Sequence, residues 1–144
     1  MFIRQISVFL ENKKGRLADI SRLLGDNGID LIAMSIADTA NFGILRVITT
    51  DTDRAVDLVV RNGFTANLTQ VLCVAVPDVP GGLAGILRIM SDNDVSVEYL
   101  YSFVRTHNNN ALVMFRVEDN QKAHDILTAN GVKIIGEDEL KNTK

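Results

Sequence analysis

Two stretches of this chain carry one pattern, and they decide its fold: Glu11-Asn-Lys-Lys-Gly15-Arg-Leu17-Ala18-Asp-Ile20-Ser-Arg22 and Pro77-Asp-Val-Pro-Gly81-Gly-Leu83-Ala84-Gly-Ile86-Leu-Arg88. The glycine, leucine, alanine, isoleucine and arginine of the first stretch recur 66 residues later in the second. Further along, Asp51 and Asn62-Gly63 recur as Asp119 and Asn130-Gly131, which is a spacing of 68. The chain therefore reads as a duplicated domain, with two extra residues in a hairpin loop of the second copy.

The hydrophobic periodicity predicts the same order of elements in both copies. Ile6, Val8 and Leu10 alternate with polar residues as in a strand, and Leu17, Ile20 and Leu24 then follow at helical spacing. In the first copy a hairpin is predicted at about 30–38 and 43–50, followed by a helix at about 53–62 and a short strand. The second copy repeats this pattern, with strands near 96–105 and 111–117 and a helix near 120–130.

The predicted fold class is α+β, built from two ferredoxin-like βαββαβ modules in tandem. Each module would form an antiparallel sheet with both helices on one face. We place the modules at residues 1–69 and 70–140, and we expect the polar tail from Gly136 onward to fray.

Composition narrows the classes of partner. The 144 residues carry a net charge of −3, which gives no electrostatic reason to expect a nucleic acid or an anionic membrane as the main partner. No run approaches the roughly 20 apolar residues that span a bilayer, and the start of the chain has no pattern of a secretory signal. Cys73 is the only cysteine, so no intrachain disulfide is possible, and we expect a cytoplasmic protein.

We expect a ligand-binding site at the turn between the first strand and the first helix of each copy. Backbone amides at a helix start lack partners within the helix and attract anions, and Gly15 or Gly81 would let a ligand approach closely. Asn12 and Asp78, three residues before each glycine, add a side-chain oxygen. A carboxylate on the amides with an ammonium near that oxygen describes an α-amino acid. A tight turn with an ordinary helix cap explains the same residues without any ligand.

The pattern Asp/Asn-x-x-Gly-x-Leu, followed after the helix by Asn-x-Ile/Val and a strand, resembles the ACT domain family over almost the whole chain, twice. The later parts of the motif are Asn27-Gly-Ile29 and Asn93-Asp-Val95. The resemblance implies paired modules that bind amino acids at their interface and regulate metabolic enzymes or transcription. It also implies ligand contacts from the turn and from the start of the second strand of a neighbouring module. The residues so implied are Asn12, Gly15, Arg16, Leu17, Asp30 and Ile32, with Asp78, Gly81, Gly82, Leu83, Ser96 and Glu98 in the second copy.

The two turns differ in charge. Family turns commonly have a proline before the glycine, which Pro80 supplies, whereas the first copy has Lys14. Lys13, Lys14 and Arg16 make the first turn basic, and the second has only Asp78. We therefore expect two non-equivalent sites.

For the other candidate residues, we expect structural roles and no role in catalysis, metal binding or base stacking. Cys73 has no histidine near it in sequence and reads as a buried small residue, and His107 and His124 lie on separate elements, so we expect no catalysis and no metal site. Gly85 is expected to permit close packing of its helix. The alternating Tyr99, Tyr101 and Phe103 favour a core or subunit contact over a platform for stacking bases.

The leading hypothesis is an amino-acid-binding regulatory protein that is not an enzyme and needs no cofactor. We expect a homodimer that passes its signal to a separate metabolic enzyme or regulator, because no catalytic or DNA-binding domain is recognisable within the chain. Two alternatives stay open: an accessory structural subunit without ligand, and a module that binds nucleic acid on its sheet face.

Overall fold

The computed structural model describes residues 2–11, 13–38 and 41–142, and for residues 38 and 103–107 it describes the backbone alone. In these ranges the elements follow in the order β1 (Ile3–Glu11), α1 (Arg16–Asp26), β2 (Leu31–Asp38), β3 (Phe42–Thr49), α2 (Thr52–Arg61), β4 (Thr65–Pro77), α3 (Gly82–Asp92), β5 (Val97–His107), β6 (Asn110–Val117), α4 (Asn120–Ala129), β7 (Ile134–Ile135) and α5 (Glu137–Lys141). The order is that of two βαββαβ modules, as predicted.

The chain divides into two compact units, Arg4–Thr69 and Met1–Ile3 with Gln70–Lys144. In the first unit, β3 pairs antiparallel with both β1 and β2, so β2 lies outside β3. In the second unit, β6 pairs antiparallel with both β4 and β5, and β7 pairs with β4 through Cys73 and Val74. β4 belongs to both units, because its first five residues end the first and the remainder begins the second.

Each unit has its own core between the helices and one face of the strands. In the first unit Ile6, Val8 and Leu10 of β1 are buried in one cluster with residues of α1 and α2. In the second unit Leu72, Val74 and Val76 of β4 occupy the equivalent places. The strand alternation and the helical spacing predicted this packing against the helices, and the α+β fold class is confirmed. The alternation predicted one buried face, however, and Val71, Cys73 and Ala75 on the other face of β4 are buried too.

Local sequence signals explain where the helices begin and end. Asp51 and Asp119 cap α2 and α4 by accepting hydrogen bonds from the backbone N–H three residues on, at 3.2 and 3.0 Å. Gly28, just after α1, has φ of 72°, the left-handed conformation expected of a glycine that closes a helix. None of the helices in the described ranges is long and apolar enough to span a membrane.

Three local predictions are wrong. The tail does not simply fray, because Glu137–Lys141 forms α5, Leu140 is fully buried, and Glu139 pairs with Lys133 at 3.1 Å. Gly85 does not serve close packing, since a Cβ there would meet nothing within 4 Å. Leu17 follows the helical spacing of buried Ile20 but is 45% exposed, because it lies in the first turn of α1 beyond the core.

Candidate ligand site

The first turn joins β1 to α1 and leaves amides at the helix start. Gly15 has φ of 92°, which an L side chain rarely adopts, and it forms the N-cap of α1. The Arg16 N–H donates to the Lys13 carbonyl at 3.4 Å, and the Asp19 N–H donates to the Gly15 carbonyl at 2.9 Å. Between them, the amides of Leu17 and Ala18 have no acceptor among the described residues. Asn12, the residue predicted to contribute a side-chain oxygen here, lies outside the described residues.

The second turn repeats this backbone in a tighter form. Gly81 has φ of 84° and caps α3, and the Gly82 N–H donates to the Val79 carbonyl at 3.0 Å. A Cβ at Gly82 would lie 2.0 Å from the Pro77 carbonyl oxygen, so the turn closes on a residue without a side chain. Asp78 is exposed beside it, and Leu83 is 37% exposed.

Charged side chains surround the first turn. Lys13 Nζ lies 2.8 Å from Glu11 Oε2, and this hydrogen bond and charge hold the pKa of Glu11 below its usual value. Arg16 places its guanidinium carbon 4.2 Å from the centre of the Phe64 ring. Glu11, Lys13 and Arg16 line a cavity of about 120 Å³ together with apolar residues that include Leu17. The turn therefore combines helix amides, cationic groups and a small recess.

A second recess runs from the first turn along α1. It is an apolar groove of about 240 Å³ between one side of α1, which contributes Leu17 and Ile20, and the strands, which contribute Leu31 and Met34. Met34 is 47% exposed on β2. The equivalent turn of the second unit borders a shallow apolar recess of about 400 Å³ that includes Val79, Gly82 and Ile86.

The predicted strand residues of the first unit have other surroundings. The Asp30 Oδ1 accepts a hydrogen bond from the Leu31 N–H at 2.9 Å. Its backbone exchanges two hydrogen bonds with Thr50, each 3.1 Å long, which fasten the start of β2 to the end of β3. Ile32 is only 5% exposed. These two residues hold the strand in place in the structure.

In the second unit, Glu98 lies 3.5 Å from Arg116 Nε through its Oε2 atom. Ser96 is exposed and lines a polar cavity of about 530 Å³ with the charged residues Asp94, Glu118 and Lys122. This cavity lies at the start of β5 and the start of α4, away from the Gly81 turn.

The predicted residues thus form two sets in each unit, and the sets lie at opposite ends of the sheet. The end of β1 pairs Glu11 with Phe42 at the start of β3, whereas the start of β2 pairs Leu31 with Thr49 at the other end. Seven residues of strand separate these points, or about 23 Å. The structure brings together Gly15, Arg16 and Leu17 at one turn, and Gly81, Gly82 and Leu83 at the other. It does not bring either set to the strand residues of its own unit.

The residues considered for other chemistry are placed elsewhere. Cys73 is buried as predicted, and burial raises the pKa of its thiol to about 12. His124 contacts Asp125 and the Phe2 ring, the side chain of His107 lies outside the described part, and no metal-binding cluster occurs among the residues described. Tyr101 is only 8% exposed and therefore presents no ring face for stacking; the Phe103 side chain lies outside the described residues.

Two residues that contact the side chains of the first turn, Phe64 and Glu11, were not predicted as site residues from the sequence. Phe64 carries no signal, because its contact with Arg16 arises only when the corner between α2 and β4 folds against the start of α1. Glu11 could have been found from its spacing to Lys13, which allows an ion pair across the end of a strand.

The fold is thus a tandem pair of βαββαβ units, each with a glycine turn at the start of its first helix. A family model described as an ACT domain pair matches residues 1–143, and the chain belongs to this family. Comparison with curated protein sequences gives no match.

Three solved structures share this fold. Protein BT0572 from Bacteroides thetaiotaomicron is 39% identical, with a TM-score of 0.92 over 99% of this chain and 97% of that chain. The ligand-free regulatory subunit of aspartate kinase from Thermus thermophilus shares the fold at 14% identity, with a TM-score of 0.61 over 88% of this chain and 91% of that one. Aspartate kinase from Clostridium acetobutylicum matches at 12% identity and a TM-score of 0.51, over 89% of this chain but 33% of the enzyme.

Proposed function

We propose that this protein is an amino-acid-binding regulatory protein without catalytic activity of its own. The ligand's carboxylate would accept hydrogen bonds from the amides of Leu17 and Ala18 in one module and of Leu83 and Ala84 in the other. The observation that carries the proposal is the pair of matched glycine turns, each opening a helix whose next amides lack acceptors among the described residues. Membership of a regulatory family supports it.

A complete site needs more than one module. Because the turn and the start of the second strand lie at opposite ends of a unit, we propose that Asp30, Ile32, Ser96 and Glu98 contribute to the site of a neighbouring module. The modules in this proposal are residues 1–69 and 70–140. A homodimer would supply such neighbours, and the exposed apolar side chains of Leu17, Met34 and Ile36 offer it a surface.

The signal would pass to a separate protein, a metabolic enzyme or a regulator. The same fold serves as a separate regulatory subunit in the aspartate kinase of Thermus thermophilus, which is the arrangement proposed here. Ligand binding would act by favouring one arrangement of modules or subunits over another, and it would do so only to the extent that the two arrangements bind the ligand differently.

Thermal unfolding in the presence of each of the twenty amino acids tests the proposal. A ligand that binds only the folded protein, at 100 times its dissociation constant, stabilises it by about 2.7 kcal/mol. Gly15→Ala should weaken that stabilisation, because an L side chain strains a turn with φ of 92°. Gly28→Ala is the matched control, since it strains a left-handed glycine, with φ of 72°, at the other end of α1.

If no amino acid raises the unfolding temperature, the proposal fails and an accessory subunit without ligand takes its place. If Gly28→Ala weakens the stabilisation as much as Gly15→Ala does, the ligand does not bind at the turn.

A further inference from the structure

Arg16 is held in an unusual way. Its guanidinium lies over the face of Phe64, which is only 7% exposed, with 4.2 Å between the guanidinium carbon and the ring centre. Its Nε is buried and has no hydrogen-bond partner among the described residues, and the Asp19 carboxylate reaches one terminal nitrogen only at 4.0 Å. An aromatic ring orients a cation without neutralising it. Arg16 is therefore a positioned positive charge whose described ion pairing is weak: one contact with Asp19 at 4.0 Å and a minor contribution to lowering the pKa of Glu11.

The carboxylate of the turn, Glu11, interacts mainly with Lys13, and Arg16 contributes less to lowering its pKa. Glu11 pairs with Lys13 at 2.8 Å, and the side chain of Lys14 is exposed. The seven residues 11–17 therefore carry three cations and one carboxylate, for a net charge of +2. Arg16 borders the recess of about 120 Å³ at this turn, beside Leu17, whose amide is proposed to receive the ligand.

The second unit lacks both members of the pair. Gly82 stands at the position equivalent to Arg16, and Val132 at the position equivalent to Phe64. Gly82 has no room for a side chain, because a Cβ would lie 2.0 Å from the Pro77 carbonyl oxygen. The corresponding residues 77–83 carry one carboxylate and no cation. The duplication thus provides one turn with the fixed cation and one without it.

We propose that the first unit selects an amino acid with a side-chain carboxylate, of the aspartate and glutamate class, and that Arg16 is the specificity-determining residue. The proposal rests on the proposed function, in which helix amides receive the α-carboxylate. The guanidinium of Arg16 then takes the second carboxylate, and Phe64 is a positioning residue that holds the guanidinium at the recess. The second unit, with Gly82 and Asp78, accepts neutral amino acids.

Isothermal titration calorimetry tests this selectivity for acidic amino acids. The ligands are two matched pairs, L-aspartate with L-asparagine and L-glutamate with L-glutamine. The members of a pair have nearly the same shape and differ in charge. In at least one pair, the acidic member should bind at one site per chain with an affinity about tenfold or more above that of the neutral member. A charge-assisted hydrogen bond is strong enough to give this ratio. The preference should shrink as salt is raised.

Variants separate the roles of the residues. Arg16→Gln should abolish the acidic preference and leave the affinity for the neutral member within about twofold, and Arg16→Lys should retain part of the preference. Phe64→Leu keeps an apolar side chain but removes the ring, and it should reduce the preference about threefold or more. Arg22→Gln removes a charge from an exposed position of α1 and should leave the preference unchanged. Circular dichroism checks that each variant is folded.

The outcomes separate a failure of this specificity proposal from a failure of the proposed function on which it rests. If the wild-type protein binds none of the amino acids, both fail. If it binds neutral and acidic members equally, this inference fails and the proposed function stands. The same holds if Arg16→Gln weakens both members of a pair by the same factor, in which case Arg16 contacts the α-carboxylate that both members carry. If Phe64→Leu behaves as the wild type does, Phe64 has no positioning role.

Discussion

Two glycines three residues apart on α3 should respond in opposite ways to the same substitution. At Gly82 a Cβ would lie 2.0 Å from the carbonyl oxygen of Pro77, and that oxygen belongs to the backbone and not to a flexible side chain. At Gly85 a Cβ would meet nothing within 4 Å. We therefore predict that Gly82→Ala destabilises the protein and that Gly85→Ala stabilises it.

The magnitudes follow from these two environments. Relief of the contact at Gly82 needs a backbone shift of about 1 Å, and forced overpacking of this kind costs about 1–3 kcal/mol. An exposed glycine inside a helix is less stable than alanine by about 0.5–1 kcal/mol, so Gly85→Ala regains that amount. The two variants should differ by roughly 1.5–4 kcal/mol, or by about 5–12 °C in unfolding temperature for a chain of this size.

Urea unfolding followed by circular dichroism measures both variants against the wild type, with the m-value checked for constancy. Because Gly82 holds the second turn closed, its variant should also weaken binding of neutral amino acids, and the Gly85 variant should not. Equal stability of the two variants, or a Gly82→Ala protein as stable as the wild type, would refute the claim that the turn closes tightly on Pro77.

The remaining predictions concern helix caps, the buried thiol and the tail. Asp51→Ala and Asp119→Ala should each cost about 1 kcal/mol in urea unfolding by removing a cap, and no loss in either would contradict the cap geometry. Burial raises the pKa of Cys73 to about 12, so iodoacetamide should not modify the native thiol at pH 8. Because the unfolded thiol ionises near its ordinary value of 9.0 and the folded one does not, the free energy of unfolding should fall between about pH 9 and 12; a Cys73→Ala protein with the same decline would exclude this cause. Leu140→Ala should cost about 2–5 kcal/mol and Asp138→Ala under about 0.5, and equal effects would show that α5 does not bury its leucine.

The fold was predictable because each sequence pattern that indicates a strand, a turn or a helix occurs in both copies of the repeat. A single glycine turn between a strand and a helix is common, but the same turn found again 66 residues later, with matching apolar spacing, excludes most other arrangements. The strand faces of Ile6 and Leu72 followed from alternation, which depends only on neighbours along the chain.

The errors have a common physical origin, since each concerns a contact that the local pattern does not encode. The residue type of Gly85 predicts a packing role, but tertiary structure determines whether any neighbour approaches it, and none does. Leu140 lies in a polar tail, and only the position of α5 in the folded second unit explains its burial. Leu17 fits the helical spacing of the core but lies one turn beyond it.

The candidate site was predictable only in its backbone. Gly15 and Gly81 mark the turns, and their amides follow from the start of a helix. The cation of Arg16 was visible in the sequence, but its orientation depends on Phe64, which is 48 residues away along the chain. The separation of Asp30 from Gly15 by the length of a strand follows from the strand register, which a βαββαβ order implies once the strands are paired.

The most direct test of the account is a titration with amino acids followed by backbone amide signals in heteronuclear NMR spectra. The account predicts that the binding amino acid shifts the amide signals of Leu17 and Ala18, or of Leu83 and Ala84, at its lowest concentrations. Saturable binding that leaves all four amides unmoved and shifts signals elsewhere would contradict it.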